Sequence, residues 1–167
     1  MGRWRLLGLV GLLVACSDDS TAAPDPTGAL IANATVIYVS DGDTIGIEID
    51  GVEERVRLIG IDTPETKKPN TPIECFGPEA TDFTESLLPK GTPLHVQRDV
   101  EARDVYGRLL AYVYRSDDGM FINLEIAARG YARPLTIPPN VAHADDFVVA
   151  ARTAEAANVG LWAGCSG

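Results

Sequence analysis

Acidic residues gather at two points of the sequence where a run of strand-forming residues ends. Asp41 and Asp43 follow the segment ATVIYVS, and Asp62 follows the segment RVRLIGI. If these strands are neighbours in one sheet, the carboxylates of Asp43 and Asp62 converge. Oxygen-only ligands favour a hard cation such as Ca²⁺ or Mg²⁺. Taken alone, the segment DGD is more typical of a solvated turn, because Asp and Gly are common there.

The segments around these acids alternate between strand and turn patterns. ATVIYVS, TIGIEID and RVRLIGI are predicted strands joined by DG-containing turns, and TPLHVQRDV and RLLAYVYR are two more. Helices are predicted for GPEATDFTESLL, for MFINLEIAARG and for residues 141–157. Five antiparallel strands of this length favour a closed barrel, because closure removes the exposed edges. The predicted fold is therefore α+β, a five-stranded β-barrel with three α-helices, in the order β-β-β-α-β-β-α-α.

The first residues have the pattern of an export signal. Arg3 and Arg5 precede an apolar run, and the segment LVAC that ends at Cys16 resembles the bacterial lipobox, in which the cysteine is acylated after cleavage. A plain signal peptide cleaved near Ala15 or Ala23 is the alternative. We predict a lipoprotein signal peptide over residues 1–15, a flexible tether over 16–32 and one folded domain over 33–167.

The composition indicates an acidic globular protein. The chain has 167 residues, of which 46% are hydrophobic and 23% charged, and its formal net charge is −10. Loss of residues 1–15 removes two of its 14 basic residues and none of its 24 acidic residues, which gives −12. Such a charge argues against high affinity for polyanions.

Two of the three cysteines remain if Cys16 is lipidated. Export makes a disulfide between Cys75 and Cys165 plausible, and two unpaired, partly buried thiols are the alternative. Neither cysteine has the additional cysteine or histidine neighbours that a zinc site needs.

Six segments, in order, resemble the thermonuclease, or staphylococcal nuclease-like, family. They are DGDT (41–44), RLIGIDTPE (57–65), ECFGPEA (74–80), YGRLLAYVY (106–114), INLEIAARGYA (122–132) and GLW (160–162). The resemblance implies an OB-fold barrel and an enzyme that cleaves DNA and RNA with Ca²⁺. It also implies that the metal lies on the carboxylates of Asp43 and Asp62 and the backbone carbonyl of Thr63, with water in the remaining positions.

The resemblance gives further residues roles in phosphodiester hydrolysis. Glu65 matches the residue that orients or deprotonates the attacking water, and Arg57 and Arg108 match two phosphate-binding arginines. Tyr106 matches a tyrosine near the substrate phosphate. From the residues alone, Arg57 could instead pair with Glu53 or Glu54 on the surface, Arg108 could be an ordinary cation after a turn, and Tyr106 a turn aromatic.

Several other residues have weaker assignments. Lys67 and Lys68 could contact a nucleic-acid backbone or simply be solvated, while His95 and His143 are expected to be structural. Two tyrosines that stack on the nucleotide base in the family's best-known member are replaced by Thr136 and Pro138, which leaves open how a base is bound.

We therefore expect an exported, lipid-anchored, monomeric Ca²⁺-dependent nuclease, attached to the membrane through Cys16 and facing the periplasm or the cell exterior. By resemblance, cleavage leaves 3′-phosphates. Two alternatives are a non-catalytic OB-fold module that binds nucleic acid and an acidic Ca²⁺-binding lipoprotein. The former usually lacks the acids or arginines, and the latter gives the arginines no purpose.

Overall fold

The strands and helices follow the predicted order, with three short additional elements. The computed structural model describes residues 29–67 and 72–165. The elements are β1 (Ala34–Asp41), β2 (Thr44–Ile49), β3 (Val52–Leu58), β4 (Gly60–Asp62), α1 (Gly77–Leu87), β5 (Pro93–Gln97), β6 (Leu109–Arg115), α2 (Ile122–Ala128), β7 (Arg133–Leu135), α3 (Ala144–Ala156) and α4 (Leu161–Gly164). The predicted signal peptide, Cys16, most of the predicted tether and Lys68 lie outside the described residues, so those predictions stay untested.

Five of the strands form a closed barrel, which confirms the predicted fold class. Their order around the barrel is β1-β2-β3-β6-β5, and β1 pairs with β5 to close it. The expectation of an entirely antiparallel set is wrong at one pairing, because β3 and β6 run parallel with Val56 opposite Leu109. Parallel neighbours require a long crossover, and residues 59–108 supply it with α1 and β5.

The barrel interior is an apolar core to which all five strands contribute. It includes the buried side chains of Val36, Ile45, Ile47, Val56, Leu58, Leu94, Ala111 and Val113. Helix α3 packs one face against this cluster through Phe147, which is 1% exposed. The barrel is therefore filled by side chains, and a substrate must bind outside it.

The predicted third strand, RVRLIGI, is in fact divided into β3 and β4. The division lies at Ile59 and Gly60, where Gly60 has φ +87° and a Cβ would lie 2.0 Å from the ring of Phe147. Asn123, fully buried at the start of α2, donates from Nδ2 to the carbonyls of Ile59 and Ala111 at 2.9 and 3.1 Å. The chain thus leaves the barrel at Ile59, and β4 pairs with β7 in a separate two-stranded sheet.

The C-terminal end of the described chain is tied back to the start of α1. Cys75 and Cys165 form a disulfide across a separation of 90 residues, with Cα atoms 5.9 Å apart. The short helix α4, which the sequence analysis did not predict, precedes Cys165. Within the two described ranges, no helix combines the length and the apolar character needed to cross a membrane.

Candidate active site

A cleft of about 870 Å³ lies where β1, β3 and β4 meet two loops. Its floor holds Asp43, Arg57 and Asp62, and the loop after β5 contributes Arg108. The β7–α3 loop forms part of the wall, and its buried Asn140 bonds both backbone groups of Glu101 at 2.7 and 3.0 Å. These bonds hold the two loops together, so the cleft has a defined width.

Arg57 is the centre of the site. Its Nη2 atom lies 3.0 Å from Oδ2 of Asp43 and 2.9 Å from Oδ1 of Asp62. Its Nη1 atom donates to the carbonyl of Leu58, and to that of Ile61 at 2.8 Å. The fork is therefore fixed by groups at the β3–β4 junction, and only 13% of the side chain is exposed. The alternative pairing with Glu53 or Glu54 is wrong, because Glu54 instead binds Arg103.

Asp43 joins the end of β1 to the residue after β4. It lies in the turn between β1 and β2 and is buried, at 8% exposure. Besides contacting Arg57, its Oδ2 accepts the backbone N–H of Thr63 at 3.1 Å, and its Oδ1 accepts the hydroxyl of Thr44 at 3.1 Å. The DGD segment is thus not a solvated turn, because its second carboxylate is buried in a network.

Asp41 has a different neighbourhood. Its Oδ1 accepts the N–H of Gly42 at 2.9 Å and the hydroxyls of Thr66 and Thr81 at 3.0 and 3.2 Å. It therefore links β1 to α1 and to the segment after β4 without touching Arg57. A Cβ at Gly42 would lie 2.8 Å from Oγ1 of Thr63, which leaves no room for a larger residue in this turn.

The carboxylate of Glu65 is held by the backbone N–H groups of the two residues that follow it. Its Oε1 accepts the N–H groups of Thr66 and Lys67 at 3.0 and 2.8 Å. Its Oε2 makes no hydrogen bond to any residue in the described ranges. One oxygen therefore fixes the carboxylate, and the other is free to act in the cleft that Glu65 lines.

Arg108 is fixed by an acid that the sequence analysis did not single out. Asp104 accepts Nε of Arg108 at 2.7 Å with one oxygen, and with the other it accepts the N–H groups of Tyr106 and Arg108 at 3.0 and 2.9 Å. Nη1 of Arg108 reaches Oγ1 of Thr44 at 3.5 Å, and its Cζ lies 5.6 Å from the ring centre of Tyr106. Tyr106 itself is 81% exposed at the mouth of the cleft.

The acids of the site differ in the direction of their pKa shifts. Burial raises the pKa of Asp62; the nearby charges of Asp43 and Glu74 act in the same direction, and Arg57 opposes them. Burial also acts to raise the pKa of Asp104, but hydrogen bonds and the charge of Arg108 outweigh it, so this pKa is lowered. Asp62 therefore holds its proton more tightly than an ordinary aspartate does. A further cation beside it would favour its ionised form.

The oxygen atoms around Arg57 determine which metal could bind here. In the described part of the chain, no three His, Cys, Asp or Glu side chains cluster in a way that could hold a metal. The carboxylates of Asp43 and Asp62 both contact Nη2 of Arg57, and the adjacent carbonyl of Thr63 accepts no hydrogen bond from the described residues. Such a set offers only hard oxygen donors and would need water to complete it, which fits Ca²⁺ or Mg²⁺ better than a metal that prefers thiolate or imidazole ligands.

A comparison with protein-family models decides the family. The model described as staphylococcal nuclease homologue matches residues 55–164, which is more than half of the chain. This chain belongs to the staphylococcal nuclease family. The fold prediction by resemblance is confirmed with it, since the domain of that family is an OB-fold barrel with helices.

Curated relatives from this family share much of the sequence. A thermonuclease of Staphylococcus intermedius is 44% identical over 124 residues, which is 74% of this chain and 72% of the relative. A thermonuclease of Staphylococcus hyicus is 40% identical over 127 residues, 76% of this chain and 73% of the relative. Endonuclease YncB of Bacillus subtilis (strain 168) is 35% identical over 134 residues, 79% of this chain and 62% of the relative.

In this member of the staphylococcal nuclease family, the residues selected from the sequence lie in one place. The same cleft is lined by Asp43, Arg57, Asp62, Thr63, Glu65, Tyr106 and Arg108. Exposed Lys67 also lines it, whereas His143 lies among the rings of Tyr112 and Phe121 at 4.7 and 5.0 Å. His95 accompanies Tyr114 at 6.2 Å, outside the lining of the cleft.

Sequence reasoning missed several residues that line the cleft, among them two acids and two apolar residues. Asp104 and Glu74 are acids in loops, where the pattern of the sequence gives no sign of what they contact. Leu135 and Ile137 line the wall, whereas their neighbours Thr136 and Pro138 do not. Counting alternate positions from the end of β7 could have indicated this, since side chains of an extended segment alternate in direction.

Proposed function

We propose that this protein is an exported, Ca²⁺-dependent nuclease that hydrolyses phosphodiester bonds of DNA and RNA with little sequence preference and leaves 3′-phosphates. As a nuclease of the staphylococcal nuclease family, it is a phosphodiesterase. The identity of the cation, the 3′-phosphate product and the export of the protein are our proposals. One observation carries the proposal: two fixed guanidinium groups, two convergent carboxylates and a carboxylate with a free oxygen line the same cleft.

The two arginines provide the positive charge that a phosphodiester requires. Arg57 and Arg108 are each oriented before substrate arrives, Arg57 by backbone carbonyls and carboxylates and Arg108 by Asp104. A guanidinium matches two phosphate oxygens with parallel hydrogen bonds, and its charge stabilises the extra negative charge of the transition state. Arg57 must exchange a carboxylate for phosphate, whereas Arg108 contacts Asp104 through Nε and its Nη1 reaches only Oγ1 of Thr44, at 3.5 Å.

Asp43, Asp62 and the carbonyl of Thr63 would hold the Ca²⁺ ion. When bound, the ion supplies Lewis acidity and a counter-charge for the phosphate. These three donors would leave the remaining positions of the ion to water and substrate. Because Asp43 is positioned by the N–H of Thr63, two of the three donors are set relative to each other by one hydrogen bond.

Glu65 is the residue that we assign to the water. Two backbone N–H groups hold its Oε1, its Oε2 is bonded to no described residue, and Glu65 lines the cleft. In the reaction, the water oxygen forms a bond to phosphorus, the bond from phosphorus to O5′ breaks, and the departing oxygen takes a proton to become a 5′-hydroxyl. By orienting the water, Glu65 would lower the entropic cost of reaching this geometry.

The wall of the cleft bears on how a base is accommodated. Ile137 is 61% exposed and Leu135 36% exposed, and both line the cleft, as Tyr106 does. Apolar side chains cover a base face without selecting its hydrogen-bonding edge. This supports the proposed weak sequence preference, although the surface differs from a pair of stacked tyrosines.

Export and lipid anchoring rest on the sequence of the first 16 residues together with the disulfide. A disulfide between Cys75 and Cys165 is typical of proteins outside the cytosol, where thiols are not kept reduced. We infer that Cys16 carries the lipid and that the tether separates the domain from the membrane. Mass spectrometry of the N-terminal peptide tests this, because acylated Cys16 has a mass that a peptide beginning elsewhere cannot reproduce.

Cleavage and binding by the purified protein and by Asp62→Ala test the catalytic part of the proposal. The wild-type protein is expected to cleave single-stranded DNA and RNA in Ca²⁺. The products are expected to carry 3′-phosphates, which a 3′-phosphatase removes. Asp62→Ala is expected to bind the same oligonucleotide without cleaving it. Binding by both forms with cleavage by neither would contradict the proposal and indicate a binding module.

A further inference from the structure

The segment 74–77 packs directly against the residue that we assign to the attacking water. Oε2 of Glu74 accepts the backbone N–H of Glu65 at 3.1 Å, and the N–H of Glu74 donates to the carbonyl of Glu65 at 2.9 Å. Both polar groups of the Glu65 backbone are thereby used by a single residue. Glu65 is thus held from two sides, by Glu74 at its backbone and by its own loop at its carboxylate.

The fit between these two segments leaves no free space at Gly77. A Cβ at this position would lie 2.7 Å from Cγ2 of Thr66, 3.1 Å from the carbonyl oxygen of Pro64 and 3.2 Å from that of Glu65. The first residue of α1 therefore lies close to the carbonyls of Pro64 and Glu65 and to the side chain of Thr66. A shift of α1 or of segment 74–77 would move Glu65 with it.

The opposite side of segment 74–77 is fixed by the C-terminal end of the described chain. Cys75 is bonded to Cys165, and the ring of Phe76 lies against Gly164, where a Cβ would be 2.9 Å from it. Phe76 has φ +71°, a left-handed conformation that a phenylalanine rarely adopts. Its ring also packs on Tyr131 at 5.3 Å. Surrounding contacts must maintain this conformation, and the disulfide is the covalent one among them.

We propose that Glu74 is a positioning residue for Glu65 and that the Cys75–Cys165 disulfide keeps Glu74 in place. The chain of contacts runs from Cys165 through Cys75 to Glu74, and from Glu74 to the backbone of Glu65. The inference rests on the proposed function, since it assumes that Glu65 acts on water. It assigns the disulfide a role in catalysis in addition to any role in stability.

The chemistry of the contact predicts which substitutions are tolerated. Glu74 acts on Glu65 as a hydrogen-bond acceptor, and this does not require a charge. Glutamine keeps an acceptor oxygen at the same distance from the backbone, whereas alanine removes it. Glu74→Gln is therefore the matched control for Glu74→Ala.

Steady-state kinetics of the two variants on a single-stranded oligonucleotide provide the first test. Glu74→Ala is expected to lower kcat about tenfold, with KM within about twofold of the wild-type value, because misplacement of a catalytic group affects the chemical step. Glu74→Gln is expected to keep kcat within about twofold. Equal kcat values for both variants would overturn the proposal, whether both are reduced or both are unchanged.

A double-variant experiment separates positioning from general damage to the fold. If Glu74 acts through Glu65, adding Glu74→Ala to Glu65→Ala lowers the residual rate no further. If the double variant is again about tenfold slower than Glu65→Ala, Glu74 acts on something else and the proposal is wrong.

The disulfide is tested by the double variant Cys75→Ala, Cys165→Ala, which leaves no reactive thiol at either position. Its kcat is expected to fall as in Glu74→Ala, and the fall is expected to disappear when Glu65 is already alanine. Thermal unfolding shows whether this double variant is folded. If it is not folded, the positioning of Glu65 is tested by the Glu74 variants. If the wild-type protein fails to cleave, the proposed function fails; if it cleaves and kcat is unaffected by either set of variants, only this inference fails.

Discussion

The guanidinium of Arg57 and the carboxylate of Asp43 form a salt bridge of 3.0 Å with 13% and 11% of their side chains exposed. The same carboxylate is one that we assign to Ca²⁺. Arg57 therefore neutralises the acids of the site in this structure, and a Ca²⁺ ion held by Asp43 and Asp62 would compete with it for these carboxylates. The chain has a formal net charge of −10, but the arginine paired with the acids places positive charge inside the cleft. A phosphodiester can therefore be attracted there locally.

Replacement of Arg57 by glutamine should destabilise the protein in the absence of Ca²⁺. Asp43 would then lie buried without a cation, and breaking such a pair costs about 3 kcal/mol of the free energy of unfolding. Ca²⁺ is expected to raise the Tm of Arg57→Gln by more than it raises the wild-type Tm, since no arginine competes for the carboxylates. Thermal unfolding in EDTA and in Ca²⁺ checks this.

The exposed Arg152 in α3 provides a control of the same chemistry. Arg152→Gln is expected to behave like the wild type in both solutions, because a surface cation contributes little. If Ca²⁺ raised the Tm of all three proteins equally, Arg57 and the ion would not share ligands.

Asp104 should be required for efficient cleavage although it is not expected to touch substrate. Asparagine at this position keeps an acceptor for the backbone N–H of Tyr106 but loses the charge and the oxygen that hold Nε of Arg108. We expect Asp104→Asn to lower kcat/KM about tenfold. Kinetics on a single-stranded oligonucleotide measure the effect.

The control for this prediction is Asp117→Asn, an exposed acid in the turn after β6, which should leave kcat/KM unchanged. In addition, Asp104→Asn should cost little in a protein that already carries Arg108→Ala, because the two residues act together. A full tenfold loss in that background would show that Asp104 acts independently of Arg108.

Acid should destabilise the fold through carboxylates whose pKa is lowered by hydrogen bonds. The N–H of Ala142 lowers the pKa of Asp99, the guanidinium of Arg115 lowers that of Asp118, and the pKa of Asp104 is also lowered, as described above. Since the unfolded pKa of Asp is about 3.9, this stabilisation is present above that pH and is lost as pH falls through the lower folded values.

Urea unfolding at a series of pH values tests this dependence. The free energy of unfolding is expected to decline below about pH 4, and Asp104→Asn is expected to show a smaller decline than the wild type. A variant curve parallel to that of the wild type would contradict the assignment for Asp104. Asp62, whose pKa is raised, contributes in the opposite direction and is the same in both proteins.

Asn123 should be among the most sensitive core positions. Its side chain satisfies the N–H of Val113 at 2.9 Å and two carbonyl groups, all of them buried. Leucine would leave these groups without partners and is expected to lower the free energy of unfolding by about 3 kcal/mol. The exposed Gln97→Leu, at the end of β5, is the control and should change it by less than about 0.5 kcal/mol. Equal stability of the two variants would show that Asn123 does not hold the β3–β4 junction.

The sequence reveals the barrel because the strands have strong local signals. Val36, Ile45 and Leu58 lie in short β-prone runs separated by Asp and Gly turns, and these runs become strands of the barrel. The parallel pairing of β3 with β6 carries no local signal, since it depends on how residues 59–108 cross over. The break of the third strand at Gly60 also depends on a distant residue, Phe147, whose ring occupies the space beside it.

The candidate site was predictable to the extent that its residues lie in recognisable segments. Asp43, Arg57 and Asp62 belong to the family-like segments, and the structure brings both acids within 3.0 Å of Nη2 of Arg57. Asp104 and Glu74 could not be selected in this way, because their importance comes from the partners that the fold gives them. Acidic residues are frequent in this chain, and only contacts distinguish one from another.

Cleavage of single-stranded DNA by the purified protein, measured in Ca²⁺ and then after addition of EDTA, tests the central claim most directly. The account predicts cleavage in Ca²⁺, its loss in EDTA and its return when Ca²⁺ is restored in excess. Absence of cleavage in Ca²⁺, or undiminished cleavage in EDTA, would contradict it.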